Sequence, residues 1–383
     1  MKNRTIALIL SILCIFTFCG LPAYAQERTA EFETGPAPDW FRPLLAEADF
    51  MVRSLSGGGS PLNESLLVMH GGKLVYERYA RGWDKDTPHV MFSITKSVVS
   101  ALVGIAIQEG KIKGVDQKAW DFFKDDVVLA PGQESKKDIT IKHLLTMSSG
   151  LPGDDDDQEV EWWNASASSG EALDSGVAAF SIPQVAASGE RFAYSSGPGA
   201  QALACLVSRA VGMNLFEYAK KKLFEPLGMT SVRWDAAADG NNYGGFGIYM
   251  TSRDMMRFGL LYLNNGRWEG KQIIPADYVA ATPPPSKLNQ DYGYMFWDFA
   301  DLTCIEIPHL KNAYYASGSF GQFICILPES DTVIVRTGSA GQLVRTLSKA
   351  ILGNPTLNSL FMRLIYPSTS LKGVPLDYLM GAM

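Results

Sequence analysis

The 383-residue chain is poor in the residues that build metal centres. It has five cysteines and four histidines, with no CxxC or HxxxH spacing among them. Transition-metal ligands come in such clusters, so no metal is expected. Positive charge is also short: 34 Lys and Arg stand against 40 Asp and Glu, a formal charge of -6, and no long basic run occurs. A nucleic-acid partner, which needs a basic face, is therefore not expected. Beyond the first 25 residues no apolar run is long enough to span a bilayer, so no stable membrane insertion of the mature chain is expected. Charged residues make up 19% and hydrophobic residues 46%. That is the balance of a folded globular chain with enough apolar side chains for a sizeable core.

The one apolar run, Ile6 to Leu21, follows Lys2 and Arg4 and precedes Ala23-Tyr24-Ala25. A positive start, a short apolar stretch and a small-x-small triplet form the pattern of a secretory signal peptide. Residues 1–25 are expected to be cleaved near Ala25-Gln26, leaving 26–383 as a single exported unit, periplasmic or secreted. Cys14 and Cys19 would leave with that segment, so Cys205, Cys304 and Cys325 remain, an odd number in an oxidising compartment. Three buried free thiols and a Cys304–Cys325 disulfide both fit.

From Glu64 the residues alternate around His70-Gly71-Gly72-Lys73, as a β-hairpin should. Helical patterns follow: one from Ser93, "ITIKHLLTMSSGL" closed by Ser-Ser-Gly, "GPGAQALACLVSRAVG", and "TSRDMMRFGLLYL" ending at Asn264-Asn265-Gly266. Strands return in "DYGYMFWDF", "GQFICILPES" and "TVIVRTG". Strands at both ends and helices between them predict an α/β (α+β) fold. The sheet lobe is expected from about 45–115 and 240–383, and an inserted helical lobe from about 116–239. Sequential hairpins make the sheet antiparallel, and the cleft between two such lobes is where a site is expected.

The chemistry is concentrated in "SITK". Ser93 and Lys96 are three residues apart and share a helix face. Val98 to Ile107 are apolar on every side, so the helix should be buried. A buried ammonium is costly, and desolvation favours the neutral amine, which can accept a proton. A hydroxyl beside such a base is the arrangement of covalent acyl transfer. Near a helix start, backbone N–H groups are also available to a developing oxyanion. Ser-x-x-Lys alone is expected about once by chance in a chain this long; its place on a buried helix gives it weight.

Two further motifs accompany Ser-x-x-Lys in serine acyl-enzymes. Tyr194-Ser195-Ser196 precedes a helix, and Ala316-Ser317-Gly318 precedes a strand. With "SITKS", "ITIKHLLTMSSGL", "GERFAYSS", "TSRDMMRFG", "YGYMFW" and "GSFGQFICILPESDTVIVRTG" in order, the chain from about Glu64 to Gly338 resembles the β-lactamase-related serine hydrolases of the class C and penicillin-binding-protein type. The resemblance implies a five-stranded antiparallel sheet flanked by helices. It implies Ser93 as nucleophile, Lys96 as base, Tyr194 as proton relay to the leaving group, and Ser196 as orienting that tyrosine or the substrate. The N–H groups of Ser93 and Ser319 would form the oxyanion hole beside Ser317 and Gly318. It implies no cofactor, and a small-molecule ester or amide as the partner.

Two departures bear on substrate. The β-lactamases of this type have Tyr-x-Asn and Lys-Thr-Gly where this chain has Tyr194-Ser195-Ser196 and Ala316-Ser317-Gly318. The missing lysine removes the cation for a β-lactam or peptide carboxylate. The pattern resembles the branch of nylon-oligomer (6-aminohexanoate-dimer) hydrolases and carboxylesterases, and hydrolysis of an ester or non-peptide amide is expected. A D-alanyl-D-alanine carboxypeptidase, a weak β-lactamase and a silent cell-wall peptide binder are the alternatives. The absence of GxSxG disfavours an α/β-hydrolase, and Gly197-Pro198-Gly199 with Ala202 is too weak a fingerprint to imply a dinucleotide. Asp154 to Asp157, with Glu159, Glu161 and Trp162-Trp163, reads as a solvated loop or as a cleft wall disfavouring anions.

Overall fold

Gly71 and Gly72 both adopt positive φ, +56° and +73°. A two-residue turn of that hand matches strand twist, and it joins β1 (Ser65–His70) to β2 (Lys73–Tyr79) as the alternation predicts. The computed structural model describes residues 31–39, 41–42, 45–53, 63–154, 174–283, 288–289, 292–298 and 312–338. The expected signal segment, Cys304 and the acidic run beyond Asp154 lie outside them.

Among the described residues the main sheet has six strands, where five were expected. The remaining four are β3 (Trp297–Asp298), β4 (Tyr314–Gly318), β5 (Gln322–Leu327) and β6 (Thr332–Thr337). The order is β2-β1-β6-β5-β4-β3, antiparallel throughout. β1 from the front of the chain pairs with β6 from the back, Ser65 opposite Thr337 and His70 opposite Thr332. The extra strand is a two-residue edge. Met295 at φ +60° breaks the extended run that the alternation of "DYGYMFWDF" predicts: among the described residues Trp297 and Asp298 pair with β4, and Tyr292 folds back to bridge Trp297.

Both sheet faces are covered. Leu66, Val68, Cys325, Leu327 and Ile334 face one cluster with Phe41, Ala48 and Val52, the last two on the helix Leu45–Arg53. Leu67, Met69, Ile324, Ile326, Val333 and Val335 face the main core. Cys325 and Cys205 are buried free thiols, each pushed by burial to a pKa of about 12.

Three longer helices build the main core: α1 (Ile94–Gln108), α2 (Pro198–Val211) and α3 (Ser252–Leu263). α1 is buried from Ile94 to Ala106, as its all-round apolar pattern requires. α3 opens with a reciprocal cap: Thr251 Oγ1 accepts from the Asp254 N–H at 3.1 Å, and Asp254 Oδ2 accepts from the Thr251 N–H at 3.4 Å. It lies on β1, β5 and β6, where Gly259 leaves room for Val333 and Ile324. The helix predicted in "ITIKHLLTMSSGL" is short, Ile141–Leu145, because Met147 turns into the left-handed region at φ +54°. His143 there accepts from the Thr140 N–H, part of a local cap. One continuous cluster joins sheet residues to Leu144, Leu203 and Leu206, so the sheet and the helical insertion share a core.

Candidate active site

Ser93 is the N-cap of α1 and half-buried; Lys96, in the first turn, is 1% exposed. The Lys96 ammonium donates to Ser93 Oγ at 2.9 Å, Ser196 Oγ at 3.1 Å and the Gly245 carbonyl at 3.0 Å. The structure therefore brings Ser93 and Lys96 together with Ser196 and Gly245, 100 and 149 positions beyond the lysine. None of these partners is a carboxylate, and among the described residues Lys96 has no ion pair. The Tyr194 ring covers the amine, its centroid 4.8 Å from Nζ.

The Tyr194–Ser196 segment is clasped by groups that admit no side chain. A Cβ on Gly245 would stand 2.0 Å from the Ser196 carbonyl oxygen, and one on Gly153 would stand 2.9 Å from that of Tyr194. The Ala193 N–H donates to the Met147 carbonyl at 2.8 Å, and the Asp154 N–H to the Tyr194 carbonyl at 2.7 Å. Asp154 Oδ1 and Oδ2 accept from the N–H and hydroxyl of Ser196 at 2.7 and 2.8 Å. Ser195 points away and accepts from the Gly199 N–H at 2.9 Å, steadying the entry to α2.

The third motif reaches the same place. Gly318 ends β4 against the segment leading to Ser93, with the Met91 carbonyl oxygen 2.2 Å from where its Cβ would be. Ser317 pairs with Phe323 and is half-buried; Ser319 is exposed in the turn that follows. Among the described residues the N–H groups of Ser93 and Ser319 are given to no other group. Their neighbours carry the strain. Phe92 and Phe320 are non-glycine residues at φ +47° and +69°, and their rings meet at 4.8 Å. Such backbone persists only where surrounding structure enforces it, and it clusters at functional sites.

Aromatic rings line the opposite side. Tyr194 stacks on Trp297 of the edge strand at 5.7 Å and meets Tyr292 edge-on at 5.9 Å. Burial, with Tyr194 and Asp154 nearby, pushes the Tyr292 phenol well above the ordinary tyrosine range, so it stays neutral. The wall is tethered to α1: Ser97 Oγ donates to the Met295 carbonyl at 2.7 Å.

Sequence reasoning missed Gly245, Phe92, Phe320, Tyr292 and Trp297 as parts of the site, and weighed Asp154 only within a run read as a solvated loop or a cleft wall, not as a partner of Ser196. The paired glycines of "NNYGGFG" were the available signal for Gly245. Asp154 stood in an acidic run that reads as solvent-facing.

A buried amine against a helix-cap serine, with a Tyr-x-Ser loop and a strand end beside it, on an antiparallel sheet flanked by helices, defines a serine hydrolase of the β-lactamase/transpeptidase fold. The chain belongs to the Beta-lactamase family, whose model matches residues 58–343. It is 24% identical over 231 residues to the 6-aminohexanoate-dimer hydrolase of Paenarthrobacter ureafaciens, covering 56% of each chain. Over 71% of its length it is 23% identical to an uncharacterized protein of Alkalihalophilus pseudofirmus, covering 82% of that protein. Among solved structures, EstCE1, a hydrolase with promiscuous acyltransferase activity, superposes with a TM-score of 0.61 at 14% identity, over 78% of this chain and 92% of that one.

Proposed function

We propose that the protein is an exported serine hydrolase that cleaves a carboxylic ester or a non-peptide amide through an acyl-enzyme on Ser93. The observation that carries this reading is the 2.9 Å approach of the buried Lys96 Nζ to Ser93 Oγ, with no carboxylate among the amine's direct partners. In its neutral form Lys96 takes the hydroxyl proton as Ser93 Oγ bonds to the substrate carbonyl carbon. The carbonyl electron pair moves to oxygen, where the N–H groups of Ser93 and Ser319 receive it. Collapse of the intermediate expels the alcohol or amine, which Tyr194 protonates. Water then attacks the acyl-enzyme and Ser93 is regenerated. Ser317 and Gly318 hold the acyl backbone along β4.

Substrate preference follows from what lines the site. Ala316, where related β-lactamases have lysine, is 0% exposed and packed in the main core, so this position offers no cation to a substrate carboxylate. Tyr194, Trp297, Phe92 and Phe320 offer rings to an uncharged acyl or leaving group. The likeness to a 6-aminohexanoate-dimer hydrolase supports an open-chain amide over a lactam.

The test is one panel on the mature protein: nitrophenyl esters of rising chain length, an aminohexanoate dimer, a D-Ala-D-Ala peptide and a chromogenic cephalosporin. Turnover of esters or the dimer, abolished by Ser93→Ala, is expected. Ester turnover that survives in Ser93→Ala rejects the assignment. Turnover confined to the cephalosporin or the D-Ala-D-Ala peptide rejects the substrate class.

A further inference from the structure

The geometry points to Asp154 as a positioning residue that sets the direction of the hydrogen bonds through Ser196 and Lys96 to Ser93. This rests on Ser93 and Lys96 acting as nucleophile and base. A serine hydroxyl has one proton to give. Ser196 gives it to Asp154 Oδ2 at 2.8 Å, while its N–H goes to Oδ1 at 2.7 Å. A carboxylate accepts only, so this assignment cannot reverse. Toward Lys96 Nζ, 3.1 Å away, Ser196 Oγ is therefore obliged to accept. The Gly245 carbonyl, 3.0 Å from Nζ, can also only accept.

The consequence appears in the neutral amine, which has two N–H groups and one lone pair. Both N–H groups are claimed, one by Gly245 and one by Ser196. The lone pair is left for the third neighbour, Ser93 Oγ at 2.9 Å, whose O–H donates into it. The chain of donors then runs from Ser93 to Lys96 to Ser196 to Asp154. Without the carboxylate, Ser196 can turn its own O–H onto the amine, occupy the lone pair and leave Ser93 without a base. Asp154 touches neither Ser93 nor Lys96; it acts through Ser196. Its own N–H bond to the Tyr194 carbonyl and the close fit of Gly153 against the same oxygen hold it there.

The test uses the rate at which a fluorophosphonate labels Ser93, a step in which the Oγ–P bond forms, fluoride leaves and the hydroxyl proton passes to Lys96. Nitrophenyl ester kinetics and thermal melting accompany it on wild type, Asp154→Asn, Ser196→Ala and the double variant. Asparagine keeps only one of the two contacts in either orientation: with its oxygen on the Ser196 N–H it donates to Ser196 Oγ, and with its oxygen on Oγ its NH2 opposes the N–H. Labelling and kcat are expected to fall about 30- to 100-fold in each single variant, at or just below the lower end of acid–base contributions, because these groups act through the base and not in its place. KM should stay within about twofold, and the double variant should be no slower than the worse single one. Asp154→Asn labelling at the wild-type rate, or losses that multiply in the double variant, overturns the proposal. Ser196→Ala labelling at the wild-type rate overturns it regardless of how Asp154→Asn folds. A wild-type Ser93 that takes up neither probe nor ester removes the hydrolase reading, and this proposal with it.

Discussion

The Met91 carbonyl oxygen lies 2.2 Å from the point where a Cβ on Gly318 would stand, so the end of β4 and the approach to Ser93 touch backbone to backbone. The N–H groups of Ser93 and Ser319, proposed as the oxyanion donors, lie on separate elements and would need a fixed spacing, which this contact sets. Gly318→Ala forces the two segments apart, because a carbonyl cannot yield as a flexible side chain would. The expected result is a loss of about 1–3 kcal/mol in stability. Removal of one oxyanion donor costs about 100-fold or more in kcat, and a comparable fall in ester turnover is expected here. Denaturant titration and ester kinetics on the one variant check both.

Ala316 sits at the centre of β4, opposite Ile324 on β5 and enclosed by the main core. Restoring the family's lysine with Ala316→Lys places an ammonium among apolar side chains with no carboxylate prepared for it. Leaving a charge uncompensated in an interior costs about 3 kcal/mol or more. The variant is therefore expected to melt well below wild type and to gain no cephalosporin hydrolysis. A gain in that activity without loss of stability would mean that the site has room for a cation after all.

What was legible in the sequence was whatever side-chain pattern alone decides. Gly71-Gly72 announced a turn needing positive φ, the apolar run after Lys96 announced a buried helix, and Thr251 with Asp254 announced a cap. Ser93 and Lys96 were singled out by their spacing on a buried helix and residues 194, 196 and 317 to 319 by motif order, and the fold brings 93, 194 and 196 to Lys96. What escaped depends on backbone or on distant contacts. The Gly245 carbonyl has no side chain to read. The left-handed turns at Met147 and Met295, which shortened one helix and one strand, occur at residues that ordinarily avoid that region. Asp154 looks like its acidic neighbours until the fold brings Ser196 to it, 42 positions along the chain.

Lys96 separates catalysis from stability. Its amine is buried and held by three neutral acceptors, so its replacement removes a base without breaking an ion pair among the described residues. Lys96→Met fills similar volume with an apolar chain. Ester kcat should fall by about 1,000-fold, in the range for a lost general base. The melting temperature should hold or rise, since no ammonium remains to be desolvated. Kinetics and calorimetry on the same preparation decide it, and near-normal turnover would transfer the role of base elsewhere.

Lys136 offers a pH signature outside the site. It is buried, its Nζ donates to the Phe180 carbonyl at 2.7 Å, and desolvation lowers its pKa from 10.5 to about 8. The sign follows from proton counting. Between about pH 8 and 10.5 the unfolded chain holds a proton here that the folded chain has released, so stability contributed by this group rises with pH. Below about 8 both states are protonated and the penalty for burying the ammonium is fully present. Other groups, the buried tyrosines among them, titrate in the same alkaline range and push the other way. The informative quantity is therefore the difference between wild type and Lys136→Met in denaturant titrations from pH 7.5 to 10.5. Wild type should gain steadily on the variant across that window, and a difference that stays flat would show that Lys136 keeps its proton in the folded chain.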